Sequence, residues 1–515
     1  MATADTTASK LSGPDLAEGI DANSLKDGEK LLGHANGEQV LLARVKGEYL
    51  AIGATCTHYG GPLAEGEVVD DTVRCPWHHA CFSLRSGEAL RAPALNPVAC
   101  WRVERRGARI IVGEKVERDP LAPTYPGASV ASDLSKVVIV GAGAAGTAAA
   151  EMLRRCGFRG DITVIDEDEG SPYDRPNLSK DYLAGNAPEE WIPIRPAGFY
   201  NEHRISLVRA RATKIDVSGK TVYVEGRASV PYDTLILATG AEPVRLTTPG
   251  ADLPHVHYLR SLRDSRAIIA ASERATHAVV IGASFIGLEV AASLRTRNPN
   301  CTVDVVAPDK LPLERVMGRD LGQFIKSLHE EHGVVFHLEQ TATKIERDAV
   351  TLADGNRLPA DLVVVGVGVR PRLQLAQDAG LHIEKGVVVN EYLETSAPRV
   401  YAAGDIARWP DPRSAAPIRV EHWVVAERQG QTAARNVLGA REPFDQVPFF
   451  WSAHYDVSIN YVGHAEHWDH ADVDGVAKDR DVAVRFIEGS RTRAVATIFR
   501  DKASLDAELA MERKA

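Results

Sequence analysis

Up to about Glu117 the chain alternates apolar and polar residues in short runs, broken by Asn36-Gly37, Lys46-Gly47, Ser86-Gly87 and Arg106-Gly107. Period-two alternation bounded by such dipeptides predicts half-buried strands and an all-β unit. The run WRVERRGARIIVG, Trp101 to Gly113, predicts a hairpin around a glycine turn. The pattern changes at Lys136, where VVIVGAGAAGTAAAEMLRRCG predicts a buried strand, a glycine turn and a helix. The same pattern returns at HAVVIGASFIGLEVAASLRTRN, His277 to Asn298, an internal repeat about 140 residues further on. From Asp445 onward, PFFWSAHYDVSINYVG, DVAVRFIEG and RAVATIFR predict a small mixed α/β unit ending in a charged helix. Between the first two patterns, residues 118–133 are rich in Pro, Ala and Ser without periodicity, which predicts a linker.

Length supports this division, since 515 residues exceed what one core fills and call for three or four domains. A net charge of −10 argues against a nucleic-acid partner. No run of eighteen apolar residues is present to span a membrane, and the start of the chain lacks a secretory signal pattern. Six scattered cysteines do not make a secreted disulfide scaffold. The expectation is a reduced, cytoplasmic protein.

The sharpest chemistry lies in Cys56-x-His58, sixteen intervening residues, then Cys75-x-x-His78. Two sulfur and two nitrogen ligands suit tetrahedral zinc or a [2Fe–2S] centre with both imidazoles on one iron. Zinc fingers group their cysteines first and their histidines second, whereas here each half holds one of each. The flanks, CTHYGGPL and CPWH, resemble Rieske loops. That resemblance implies Cys56 and Cys75 on one iron and His58 and His78 on the other. His79, where many Rieske loops carry Gly, and Cys81 fall at the wrong spacing and are expected to be bystanders. Gly60 and Gly61 cannot supply the extra loop cysteine of cytochrome-complex Rieske proteins, and Phe82 replaces a hydroxyl donor. Fewer hydrogen bonds to sulfur imply a potential at the low end of the range, near roughly −150 mV.

Gly141, Gly143 and Gly146 form G-x-G-x-x-G between strand and helix, the arrangement that brings a pyrophosphate to a helix N-terminus. Glu167 and Asp168 follow at the end of DITVID, placed to bind a ribose. The segment SPYDRPNLSKDYL resembles that of ferredoxin-reductase-like and apoptosis-inducing-factor-like flavoproteins, which implies FAD contacts for Arg175 and Lys180. LILATGAEP, with Gly240, and VYAAGDIARWPD, with Gly404 and Asp405, resemble further FAD segments of this group. The second unit, Gly282, Ser284 and Gly287, resembles its NAD(P)H repeat, which implies a place near the nicotinamide for Glu289 and a cofactor-lining role for Gly368. A dipole-stabilised carboxylate near a helix start is the alternative for Glu289. The resemblance further places Glu421, His422 and Trp423 beside the isoalloxazine and nicotinamide. Trp451 is expected to shield the flavin or to serve as a core aromatic. Ala307, Asp309 and Lys310 after the next strand give a split signal that leans toward NADH over NADPH.

The whole pattern resembles the ferredoxin-reductase and apoptosis-inducing-factor group with a Rieske domain in front. The implied fold is multidomain: an all-β Rieske domain at 1–117, a linker at 118–133, and a glutathione-reductase-like α/β flavoprotein. Its discontinuous FAD domain would occupy 134–250 and 372–440, its NAD(P)H domain 251–371, and an α+β C-terminal domain 441–515. Cys156 and Cys301 stand alone, so no redox pair supports thiol exchange. The implied activity is hydride transfer from NAD(P)H to FAD, with Lys180 and Glu289 at the catalytic position. Electrons would then reach the cluster, which could swing on the linker, and pass to an acceptor protein such as an oxygenase or haem protein. A redox-signalling flavoprotein with slow NADH oxidation is the rival class, and a homodimer is left open.

Overall fold

The computed structural model describes residues 11–117, 125 and 133–513, so nearly all of the expected linker lies outside the described residues. The N-terminal unit is built on a six-stranded antiparallel sheet, with Cys100–Arg106 and Arg109–Lys115 forming the anticipated hairpin. A second sheet of four short strands carries the Cys-His loops' support: Cys75 to Ala80 connects Thr72–Arg74 to Cys81–Ser83. Leu41, Ile52, Leu63, Val73 and Phe82 fill the core between them. A 3₁₀ turn, Leu63–Glu65, is the helical element of this unit among the described residues.

Two parallel five-stranded sheets follow. The first runs, edge to edge, Ile205–Arg209, Asp161–Asp166, Lys136–Val140, Thr234–Leu237 and Val400–Ala402. The second runs Val256–Tyr258, Leu362–Val365, His277–Ile281, Thr302–Ala307 and Val334–Leu338. Each is accompanied by a three-stranded antiparallel sheet, so the repeat seen in the sequence is a repeat of architecture. Parallel strands covered on both faces require unbroken apolar runs, and Val137 to Val140 and Ala278 to Ile281 are buried throughout. Helix α1 (Ala144–Arg155) opens the first unit, α2 (Phe285–Arg297) the second, and α3 (Glu314–Glu331) follows it. A Cβ on Gly146 would meet the Gly141 carbonyl oxygen at 1.9 Å, and one on Gly287 the Gly282 oxygen at 2.2 Å. Only glycine lets each helix seat on its strand this closely.

Helix α4 (Trp423–Val437) is buried from Val424 onward beside α1. The C-terminal unit is a five-stranded antiparallel sheet closed by helix α5 (Asp501–Glu512). Among the described residues no helix is long and apolar enough to cross a membrane.

The N-terminal unit is docked on the rest of the chain through buried charge. Glu508 on α5 is fully buried; it accepts from Arg91 at 2.7 Å and Arg428 at 3.1 Å, and pairs with the imidazole of His79. Arg428 also donates to the Ala92 carbonyl at 3.1 Å, and the Ala92 amide donates to Gln431 at 3.0 Å. Burial alone would push the Glu508 carboxyl up, but Arg428, Arg91 and His79 outweigh it and hold it well below the usual range. His79, outside the ligand set as expected from its spacing, thus has a part in the docking. It adopts φ 61°, the left-handed region where many Rieske loops place Gly, with its side chain in the interdomain contact. Removing one member of a buried ion cluster leaves the others uncompensated, at a cost of about 3–5 kcal/mol. Glu508→Ala is expected to show that loss as an earlier urea transition of the cluster's visible circular dichroism.

Candidate redox centre and cofactor cleft

The first Cys-His loop is closed by a bond from the Cys56 amide to the Gly61 carbonyl, 2.8 Å, and the second by one from Cys75 to Ala80, 2.8 Å. Gly60 takes φ 80° to complete the first turn. A Cβ on Gly61 would come within 2.7 Å of the Cys75 sulfur, so glycine keeps this space open. The four ligand candidates divide into a sulfur pair and a nitrogen pair. Cys75 shares its thiol proton with Cys56, which lowers the Cys56 pKa and raises that of Cys75. The Nδ1 atoms of His58 and His78 face one another at 3.2 Å. Burial pulls His58 down to about 3; burial and then the neighbouring His58 and His79 pull His78 well below its ordinary value. Both imidazoles are thus neutral, the form that binds metal. Two sulfurs on one side and two neutral nitrogens on the other fit a [2Fe–2S] cluster with unlike irons. Cys81 lies buried in a strand, away from this role.

The other site is a cleft of about 1520 Å³ running between the two parallel sheets and the C-terminal unit. It brings together Gly141, Gly143, Glu167, Asp168, Arg175, Lys180, Gly240, Ser284, Glu289, Gly368, Gly404, Asp405, Glu421, His422, Trp423 and Trp451. Gly146, Gly282 and Gly287 stand behind the wall, shaping the two turns. Gly143 caps α1 without a side-chain bond, and the atom nearest to its missing Cβ is the Arg175 guanidinium at 4.0 Å. Free amides at a helix N-terminus beside a cation suit a pyrophosphate.

Several arrangements escaped the sequence. Asp166, not only the two acids after it, lines the cleft and accepts from the Ala142 amide at 3.0 Å; burial and then Asp168 raise its pKa. Asp168 accepts from Tyr173 at 2.7 Å and pairs with Arg175 at 3.3 Å, while Glu167 pairs with Arg372. Arg260 pairs with Asp405 at 2.9 Å. No spacing motif marks Arg260, because its partner lies 145 residues away. Burial, then the adjacent Arg175, lowers the Arg260 pKa. The Nε atoms of Arg260 and Arg372 and the Nδ1 of His422 are buried without a hydrogen-bond partner among the described residues, Arg372 Nε keeping only a 3.8 Å ion pair to Glu242, although all three side chains line the cleft. Clustered cations with unspent donors, beside an uncapped helix start, fit the phosphates and flavin of FAD.

The second unit starts differently. Ser284 is the N-cap of α2: its hydroxyl donates to the Gly366 carbonyl at 2.6 Å and accepts from the Gly287 amide at 3.3 Å. The Ser in place of Gly therefore pins the turn to the strand end. Glu289 is fifth in α2, beyond any capping position, and buried. It accepts from Lys180 at 2.8 Å, Ser179 at 2.6 Å and Ser452 at 2.6 Å. Near α4, Glu421 pairs with Arg419 at 2.6 Å, His422 packs on Phe450, and the Trp423 indole donates to Glu427.

Trp451 joins the two sites. It lines the cleft, and its ring centroid lies 4.6 Å from that of His78 and 5.9 Å from that of His58. Tyr59, stacked on His58, donates to Asp174 at 2.5 Å at the same junction.

A Rieske-type ligand set docked on a two-dinucleotide cleft defines an FAD-dependent, iron–sulfur oxidoreductase that uses NAD(P)H. The family models match accordingly: pyridine nucleotide-disulphide oxidoreductase over residues 135–430 and Rieske [2Fe-2S] domain over 19–102. This chain belongs to the pyridine nucleotide-disulphide oxidoreductase family and carries a fused Rieske domain. It is 31% identical over 476 residues to apoptosis-inducing factor 3 of Mus musculus, covering 89% of this chain and 78% of that one. It is 38% identical to rhodocoxin reductase of Rhodococcus erythropolis over 64% of this chain and 78% of that one. Among solved structures, the covalent putidaredoxin reductase–putidaredoxin complex matches with a TM-score of 0.71 and 33% identity, over 74% of this chain and 93% of that one.

Two outcomes are expected. Cys75→Ser abolishes the Rieske EPR signal while the flavin absorbance remains. Arg260→Ala weakens FAD retention by about 1.5–3 kcal/mol, the worth of a hydrogen bond to a charged group, measured as flavin lost on ultrafiltration.

Proposed function

We propose that this protein carries electrons from NADH through FAD to its own Rieske cluster and on to a one-electron acceptor protein, an oxygenase or haem protein. The observation that carries this reading is Trp451, which lines the cofactor cleft and packs against both ligand imidazoles. In the docked arrangement the cluster needs no swing to approach the cleft. Relatives named as reductases for rhodocoxin and for a dioxygenase system support an electron-delivery role.

Bound FAD supplies the chemistry of accepting a hydride and releasing electrons singly. The protein supplies position and charge. Gly141, Gly143, Arg175, Arg260 and Asp405 hold the FAD, with Asp166, Glu167 and Asp168 toward its ribose. Gly240 and Gly404 would let backbone approach it, and His422 and Trp423, which line the cleft, would hold its ring. Ser284 and Gly368 shape the nicotinamide side, with Glu421 facing it. Lys180 and Glu289 form the polar pair at the reacting end. Asp309, just beyond the strand Thr302–Ala307, favours a free ribose diol and hence NADH. These roles divide the chain into a Rieske domain at 1–117, a linker at 118–133, an FAD domain at 134–250 with 372–440, an NAD(P)H domain at 251–371 and a C-terminal domain at 441–515.

An anaerobic NADH titration is expected to bleach the flavin and raise a Rieske EPR signal in the same sample. Flavin bleaching without that signal would overturn the internal path. Trp451→Leu is expected to slow cluster reduction by about tenfold, a barrier increase of about 1.4 kcal/mol, in rapid-freeze EPR. NADH is expected to exceed NADPH in kcat/KM.

A further inference from the structure

Glu289 is reached from two directions. On one side it lines the cleft with Lys180. On the other a continuous line of buried polar groups leads away from the cleft. Ser452 donates to Glu289 Oε1 at 2.6 Å, and the same hydroxyl lies 3.1 Å from His454 Nε2. His454 Nδ1 lies 3.2 Å from His329 Nε2. Glu289, Ser452, His454 and His329 are all buried, and His329 Nδ1 has no partner among the described residues. The His329 ring packs edge-on against Tyr455, 5.3 Å between centroids, and Tyr455 stacks on His332 at 3.6 Å. Tyr455 and His332 line a second cleft, of about 370 Å³. Tyr455 holds φ 57°, a conformation uncommon for a bulky residue.

We infer that His329, His454 and Ser452 form a proton relay to Glu289, its outer end at His329 Nδ1 beside the Tyr455 ring of this second cleft, serving the flavin reaction proposed above. The hydrogen-bond polarity follows from one donor. Because the Ser452 hydroxyl donates to Glu289, its oxygen must accept from His454 Nε2–H. His454 Nδ1 is then bare and accepts from His329 Nε2–H, which leaves His329 Nδ1 as the open acceptor. Every donor in the line points toward Glu289. Burial and then the Lys180 ammonium bring His454 down to about 3; burial, His454 and His332 hold His329 well below its ordinary value. Both rings are therefore neutral, as this tautomer pattern requires.

A proton reaching His329 Nδ1 displaces the Nε2 proton to His454 Nδ1. His454 passes its Nε2 proton to Ser452, and Ser452 passes its own to Glu289. That passage leaves both imidazoles protonated at Nδ1, so the line is polarised outward and the next proton leaves by the reverse sequence. One proton in and one out matches the stoichiometry of turnover. NADH, a proton and FAD give NAD⁺ and FADH₂. FADH₂ then loses two electrons, one at a time, through the cluster to the one-electron acceptor, and two protons. The relay supplies and removes one of these protons, and the hydride-derived one leaves by the cofactor cleft.

The test has two readouts. In ¹⁵N-histidine-labelled oxidised protein, NMR is expected to find His329 and His454 neutral and protonated at Nε2; an Nδ1-protonated form of either overturns the relay. In anaerobic stopped-flow reduction by NADH with a pH indicator, the ratio of proton-uptake rate to flavin-bleaching rate is expected to fall about tenfold in Ser452→Ala. Ser452→Thr, which keeps the hydroxyl, is expected to restore it. An unchanged ratio in Ser452→Ala overturns the relay. Neither readout uses the cluster, so a failed path from flavin to cluster would appear separately, as the missing EPR signal.

Discussion

The arrangement of the molecule depends on one buried carboxylate. Glu508 collects Arg91 and His79 from the Rieske domain and Arg428 from α4, so three separate parts of the chain meet at one point. A cluster of this kind contributes less to net stability than to position. Its members lost hydration on burial, and their mutual attraction offsets that only when geometry is kept. Detaching the domain would leave at least two guanidinium groups buried or newly exposed without their acceptor. The docked orientation is consequently the one in which these charges are satisfied.

Position matters because of what the docking brings together. Arg428 and His422 lie on and just before the same helix, so the element that anchors the Rieske domain also lines the cofactor cleft. Trp451 and Ser452 are neighbours on one strand, with side chains on opposite faces as the period of a strand dictates. One touches the cluster ligands and the other touches Glu289. The proposed routes for electrons and protons are thus separated by a single pleat.

What could be read from the sequence was what is local in it. The two Cys-His loops and the glycine turns carry their meaning within a few residues, and the buried parallel strands announce themselves as unbroken apolar runs. Contacts between distant positions were not legible. Arg260 finds Asp405 across 145 residues, and His79 finds Glu508 across 429. The docking role of His79 was consequently not legible, although its unusual place after a ligand was visible. Glu289 read as lying near a helix start, because the position of the Ser284 cap sets where the helix begins. The acidic run that ends DITVID and continues past it, Asp166 to Glu169, could not say which carboxylate turns inward, and it is Asp166 whose oxygen accepts from the Ala142 amide.

The left-handed backbone at His79 has a consequence for how such chains diverge. Any side chain there carries a conformational penalty of roughly 1–2 kcal/mol that glycine would avoid. Glycine at residue 79 would relax the loop yet strand Glu508 with a smaller set of donors, while a change at 508 alone would leave a strained imidazole with only its packing on Phe449. Neither position can drift freely without the other. Residues 79 and 508 are thus coupled in this chain through one buried contact between the Rieske domain and helix α5.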